Sequence, residues 1–281
     1  MRSKLFVPGS RPELFSKALA SAADGISFDL EDAVAPSAKG SARQALGDFL
    51  SQAPAPGKVI VVRINGQGSE HYQADLDALA VAQVHIINLP KVEHPDQVRE
   101  LAAQLERWPR PVKILANIES PRGLRLAADI AAAHPLLMGL QLGFADLFEP
   151  MGIERYQPSV VQPVQLAVRL AAGEAGIAAF DAAFAAINDA DGFQAEAAQA
   201  RRLGFTGKSC IHPSQVAMAN QAFVPTAAQI ERAQRVLAAA QQAERDGVGA
   251  YQVDGQMIDG PFVASARATV EQARNAGLLG A

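Results

Sequence analysis

Two carboxylates stand at matching places in this sequence. The apolar run Val112 to Ile118 stops at Glu119, and Ser120 and Pro121 then turn the chain toward a helix. A second mostly apolar run, LLMGLQLGFADLF, carries the chain to Asp146. Short apolar runs that end in an acid are how buried parallel strands deliver a carboxylate to the rim of a sheet. On neighbouring strands the two ends would lie about 4.8 Å apart. Carboxylates at that separation do not both ionise cheaply unless a cation sits between them. The spacing therefore fits a metal site at Glu119 and Asp146. It equally fits two acids that each cap the helix after their strand, and spacing alone does not choose.

Three further groups of residues could take part in chemistry. Arg63 ends the run VIVVRIN, where a buried guanidinium must be paired. Its partner is either a carboxylate of an adjacent strand, Asp29 or Glu31, or the carboxylate or enolate oxygen of a substrate, which its planar fork suits. Asp29, Glu31 and Asp32 form the densest acidic cluster at any strand end. A magnesium ion takes one or two carboxylates directly and keeps several waters, so Glu119 and Asp146 read as ligands and Asp29 and Asp32 as holders of the surrounding water. Histidines and cysteines at zinc spacing are absent, which also points to a hard, oxygen-bound ion. Arg2, Lys4, Arg11, Lys17, Lys39 and Arg43 crowd the first two strand–helix units. They form either a solvated face or a phosphate-binding lip extended by the backbone N–H groups of Pro8-Gly9-Ser10. His212 reads as a core histidine rather than a base.

These residues need a scaffold that brings strand ends together. Eight short β-type runs are legible: 4–7, 26–30, 58–64, 85–89, 112–118, 137–142, 177–180 and 207–211. Helical periodicity fills the intervals, as at 12–22, 37–50, 75–82, 96–108 and 121–133. Eight alternations predict an α/β fold, a (β/α)8 TIM barrel, rather than an open doubly wound sheet. Nearly every charge that interrupts an apolar run does so at its C-terminal end, the face that carries the active site in such barrels. No G-x-G-x-x-G follows a strand. Residues 1–222 read as the barrel and 223–281 as a C-terminal extension, with a long helix over 227–246, a hairpin pattern at 253–258 and a helix over 261–276. That extension packs either on its own barrel or on a neighbouring subunit.

With 281 residues, 49% of them hydrophobic, the chain can bury a large core. A net charge of −4 leaves no basic footprint for nucleic acid. The single cysteine, Cys210, has no intramolecular disulfide partner, and the start MRSKLFVPGS lacks an apolar signal core, so the cytoplasm is the expected compartment. No run approaches the ~20 apolar residues of a membrane span.

Taken together, LFVPGSRPELFSKA, FDLEDAVAPSAKGSAR, VVRING, LPKVE, IESPRG, LGFADL, GFTGKSCIHPSQV and VDGQMIDGP resemble the citrate lyase beta-subunit-like branch of the HpcH/HpaI aldolase superfamily. The resemblance spans almost the whole chain in the same order. It implies a TIM barrel assembled as trimers or dimers of trimers, with Mg2+ held by Glu119 and Asp146. It implies that Arg63 contacts a substrate carboxylate or a thioester enolate. It further implies a coenzyme A path along Phe6, Lys17, the loop from Asp29 through Glu31 and Asp32 to Pro36, and Ile211 with His212. Asp259, in the MID motif, would serve as acid/base in the site of an adjacent subunit. Two departures, Glu13 for a lysine and Gln256 in GQMID for the lysine of GKMID, remove positive charge near that path.

The expected reaction is reversible aldol or Claisen-type cleavage of a 3-hydroxy-carboxyacyl-CoA such as malyl-CoA, citramalyl-CoA or citryl-CoA. The alternatives are a citrate lyase subunit acting on a carrier-protein thioester and a pyruvate-type aldolase without CoA. The expected partners are a small acyl-CoA or keto acid and copies of the same chain.

Overall fold

The computed structural model describes residues 1–52 and 57–280. Its strands are β1 (Ser3–Pro8), β2 (Gly25–Asp29), β3 (Val59–Arg63), β4 (Ile86–Leu89), β5 (Lys113–Ile118), β6 (Leu137–Leu142), β7 (Ala178–Asp181) and β8 (Gly207–Cys210). All pair in parallel in sequence order, and β8 returns to β1, with Lys4 opposite Ser209, so the sheet closes. This is the (β/α)8 barrel read from the eight apolar runs, with strand edges within two residues of that reading.

The helices between the strands are α1 (Phe15–Leu19), α2 (Lys39–Gln52), α3 (Tyr72–Leu79), α4 (Pro95–Leu105), α5 (Pro121–Arg125), α6 (Ala127–Ala131), α7 (Phe144–Phe148), α8 (Pro158–Glu174) and α9 (Ala190–Arg202), and α10 (Pro213–Ala222) follows β8. Two predicted helices are shorter than their periodicity. The 12–22 segment begins as a 3-10 turn at Pro12–Leu14, and the 121–133 segment breaks at Leu126, whose φ of −100° and ψ of 13° leave the helical region.

Side chains of alternate residues fill the barrel in layers. Val61, Ile86, Leu115 and Phe180 form an apolar plug low in the barrel. Two residues further along the same strands the side chains become Arg63, Asn88 and Asn117, so the interior turns polar toward the C-terminal mouth. The outer faces of the strands pack on the helices in one large apolar cluster that includes Ile26, Phe28, Ile87 and Ile114.

The chain divides into two compact units, Met1–Phe223 and Val224–Ala281. In the second, α11 (Ala227–Arg245) starts with a capping box between Thr226 and Gln229. Strands β9 (Tyr251–Val253) and β10 (Gln256–Ile258) pair antiparallel across Asp254 and Gly255, both left-handed, as a two-residue hairpin requires. Helix α12 (Gly260–Asn275) then packs with α11, burying Val236, Val253, Ile258 and Val270 together. Among the described residues no helix is long and apolar enough to cross a membrane.

Candidate active site

Glu119 and Asp146 sit at the C-terminal ends of the adjacent strands β5 and β6, and neither is a helix cap. Ser120 caps α5 instead, accepting the Gly123 N–H at 3.1 Å, and Gly143 is the residue before α7, which carries Asp146 in its first turn. The capping alternative is thereby set aside. Glu119 is 3% exposed. Its Oε1 accepts the backbone N–H of Lys91 at 2.6 Å and its Oε2 accepts Asn117 Nδ2 at 3.2 Å. Burial, with the neighbouring charge of Asp146, pushes the Glu119 carboxyl up to about 7 against the pull of Arg63. Gly143 makes this placement feasible, because a Cβ there would run into the Glu119 side chain.

Asp29 and Arg63 are paired across β2 and β3, which places them side by side. Arg63 Nε donates to Asp29 Oδ1 at 2.7 Å and a terminal nitrogen to Oδ2 at 2.5 Å, while the other terminal nitrogen lies 3.0 Å from Glu31. Each Asp29 oxygen also takes a backbone N–H, from Glu31 or Ala33. Asp29 is therefore filled by Arg63 and its own loop, a role different from the expected water holder. Burial works against the guanidinium charge, but hydrogen bonding to Asp29 and the charges of Asp29 and Glu31 hold its pKa above the ordinary arginine value. Burial raises the Glu31 carboxyl despite Arg63 and Lys91. The half-buried ring of Phe6 lies 5.2 Å from Arg63 and floors this corner of the mouth.

Lys91, which sequence reasoning passed over, ties the acids together. Its Nζ lies 2.6 Å from Glu31, 3.2 Å from Asp32 and 3.9 Å from Asp146, while its own N–H holds Glu119. Its φ of 52° is left-handed, an uncommon conformation for a lysine that aims backbone and side chain at two sets of acids at once. Its position at a strand end was legible, but the backbone conformation was not. An ammonium gathered by Glu31, Asp32 and Asp146 marks a locus of cation affinity beside Glu119. The donor set suits a hard divalent ion with two direct carboxylates and water, and no cluster of three or more acid, histidine or cysteine ligands occurs among the described residues.

The remaining site residues fall on neighbouring parts of the rim. Lys17 is exposed on α1, Pro36 is exposed in the 3-10 turn Pro36–Ala38 after β2, and Ile211 and His212 are exposed after β8. His212 is not a core histidine, as expected from sequence, but the cap of α10, accepting the Ser214 N–H at 3.3 Å. Nor are the first basic residues simply a solvated face. Lys39 donates to the carbonyls of Leu30 and Glu31, and Arg43 pairs with buried Asp75 at 2.7 Å. The Gly9 N–H is spent on Asp29 O at 2.7 Å and is not free for phosphate. Glu13 is paired with Arg11 and Gln256 with Arg232. In the second unit, Asp259 precedes α12 with Oδ1 buried and without a hydrogen-bond partner among the described residues.

A closed barrel whose polar interior opens into acids and one clamped arginine at the strand ends is the architecture of a barrel lyase. Residues 2–213 match the HpcH/HpaI aldolase/citrate lyase family, and the chain belongs to it. It is an enzyme of the carbon–carbon lyase type. Among its relatives, the (3S)-malyl-CoA thioesterase of Cereibacter sphaeroides is 39% identical over 97% of this chain and 94% of the relative. The citrate lyase subunit beta of Leuconostoc mesenteroides subsp. cremoris is 38% identical over 97% of this chain and 93% of the relative. A solved structure of protein CitE from Mycobacterium tuberculosis, in complex with magnesium, acetoacetate and coenzyme A, superposes with a TM-score of 0.81 at 37% identity, covering 98% of this chain and 100% of that one.

Proposed function

We propose that this chain is a Mg2+-dependent lyase that cleaves, and in reverse forms, a 3-hydroxy-carboxyacyl-CoA such as malyl-CoA, citramalyl-CoA or citryl-CoA. The observation that carries the reading is the buried Glu119 facing Asp146 beside a guanidinium locked by Asp29 and Glu31. The magnesium and coenzyme A bound by the Mycobacterium protein support it. Glu119 and Asp146 would hold the ion, whose charge, when bound, makes the substrate hydroxyl more acidic and orients the carboxylate beside it.

The rest is work for the protein's own side chains. Asp259 accepts the hydroxyl proton; we assign it to the site of a neighbouring copy, in a trimer or dimer of trimers. The bond between C2 and C3 then breaks, leaving a keto acid while its electron pair passes into the thioester enolate. Arg63 offsets that negative charge in a site where burial strengthens the interaction, and return of a proton to C2 gives acetyl-CoA. Asp29 and Glu31 act through Arg63 by fixing its plane, so the guanidinium needs no reorganisation as charge develops. Phe6, Lys17, Asp32, Pro36, Ile211 and His212 line the rim along which the CoA would lie.

The names of the relatives favour a second reading, because one cluster consists of thioesterases and another of citrate lyase subunits. Incubating the purified protein with Mg2+ and malyl-CoA separates them. Acetyl-CoA with glyoxylate is the lyase outcome; malate with free CoA would replace it by hydrolysis. Turnover of a carrier-protein thioester alone would make the chain a subunit of a larger complex, and turnover of free hydroxy acids alone a CoA-independent aldolase.

A further inference from the structure

Two lysines are fully buried in the first unit, and they are held in opposite ways. Lys208 lies 2.6 Å from both Asp181 and Glu196 and donates to Ala182 O, so its charge is matched and its pKa is raised despite burial. Lys4 is 1% exposed inside the barrel, and among the described residues its ammonium has one hydrogen-bond partner, Asn88 Oδ1 at 3.2 Å, with the Phe6 ring 4.3 Å away. Burial, reinforced by Arg63, lowers its pKa well below the ordinary lysine value. An amine kept at such a cost in a barrel interior calls for a compensating use.

The hydrogen bonds show where its influence goes. Asn88 Nδ2 donates to Asn117 Oδ1 at 2.7 Å and to Leu115 O at 3.1 Å, and Asn117 Nδ2 donates to Glu119 Oε2 at 3.2 Å. Every side chain in the series is at most 3% exposed. The chain of contacts thus crosses the barrel from β1 to β4 to β5. It begins at an ammonium, which donates, and ends at a carboxylate, which accepts when ionised. With the ends fixed, each amide is stable in one orientation, and an N–H faces Glu119 rather than an oxygen.

We propose that Lys4 is a positioning residue for Glu119, acting through Asn88 and Asn117 to keep one carboxylate oxygen oriented for a divalent cation. This rests on the reading of Glu119 as a Mg2+ ligand. Lys4 does not touch substrate: it is buried beneath Phe6. Hydrogen-bonded partners behind a ligating carboxylate set its orientation, and their removal weakens metal binding by ~10–100-fold.

Calorimetric titration of Mg2+ at pH 8, without substrate, into the full-length protein and three variants tests this. Lys4→Met is expected to weaken Mg2+ binding by about 10–100-fold while its melting temperature stays at or above that of the parent. Asn88→Asp leaves Lys4 a partner but replaces the donor to Asn117 by an acceptor, and should weaken binding as much. Glu119→Gln should abolish it. If Lys4→Met and Asn88→Asp bind Mg2+ like the parent while Glu119→Gln does not, Lys4 is structural only and the proposal falls with the metal reading intact. Parent-like binding by Glu119→Gln would remove the metal reading and the role of Lys4 with it. Should Lys4→Met not fold, Asn88→Asp decides by the same criterion.

Discussion

The Glu119 carboxyl should make both stability and metal binding depend on pH in opposite directions. In the metal-free protein its value is about 7 against an ordinary 4.5, chiefly because it is buried. That difference corresponds to about 3 kcal/mol. A carboxyl raised in the folded state contributes its full stability below 4.5 and loses it as pH climbs toward 7, because the unfolded chain gives up the proton first. Glu119→Gln removes this dependence. Relative to the parent, the variant should therefore gain about 3 kcal/mol between pH 4.5 and 8 without metal, worth roughly 6–12 °C in melting temperature at ~2–4 °C per kcal/mol. Metal binding needs the ionised form, so the parent should bind Mg2+ about tenfold more weakly at pH 6 than at pH 8. Thermal melts of both proteins across this range, with and without Mg2+, and calorimetric titrations of the parent at the two pH values read these effects. A constant offset between parent and variant from pH 5 to 8 would refute the reasoning, since it would mean that Glu119 is ionised throughout.

Three other substitutions probe separate parts of the site. Arg63→Lys cannot reproduce the fork that meets both Asp29 oxygens, and should lower kcat by at least about 100-fold, a loss of about 3 kcal/mol in transition-state stabilisation; near-parent kcat would return Arg63 to a structural role. Gly143→Ala drives a methyl into the Glu119 side chain, and should raise the Mg2+ concentration giving half-maximal activity by tenfold or more; an unchanged Mg2+ dependence would show that Glu119 is not the ligand. Mixing Asp259→Ala with Arg63→Ala protein should restore part of the activity that each has lost, and no recovery in subunit-exchanged mixtures would place Asp259 in its own chain's site.

The sequence revealed the barrel because apolar runs, turn residues and strand-terminal charges all repeat eight times, and the pairing order follows from that repetition. Glu119, Asp146 and Arg63 were legible for the same reason: each interrupts an apolar run at one end. What stayed hidden depends on conformation or distant contact. Lys4 looks like one of several basic residues near the start, and only closure of the sheet puts it inside, opposite Asn88. Lys91 is an ordinary strand-end lysine until its left-handed backbone turns its N–H to Glu119. Asp29 was read as part of an acidic cluster, whereas the side-by-side register of β2 and β3 commits it to Arg63.

The most direct test is the anomalous signal of Mn2+ diffused into crystals of the protein with a bound keto acid. The account requires a single peak coordinated by both Glu119 and Asp146, with the Lys91 ammonium moved away from Asp146 and the keto acid completing the coordination. A peak elsewhere on the rim, or ligation that omits either carboxylate, would contradict it.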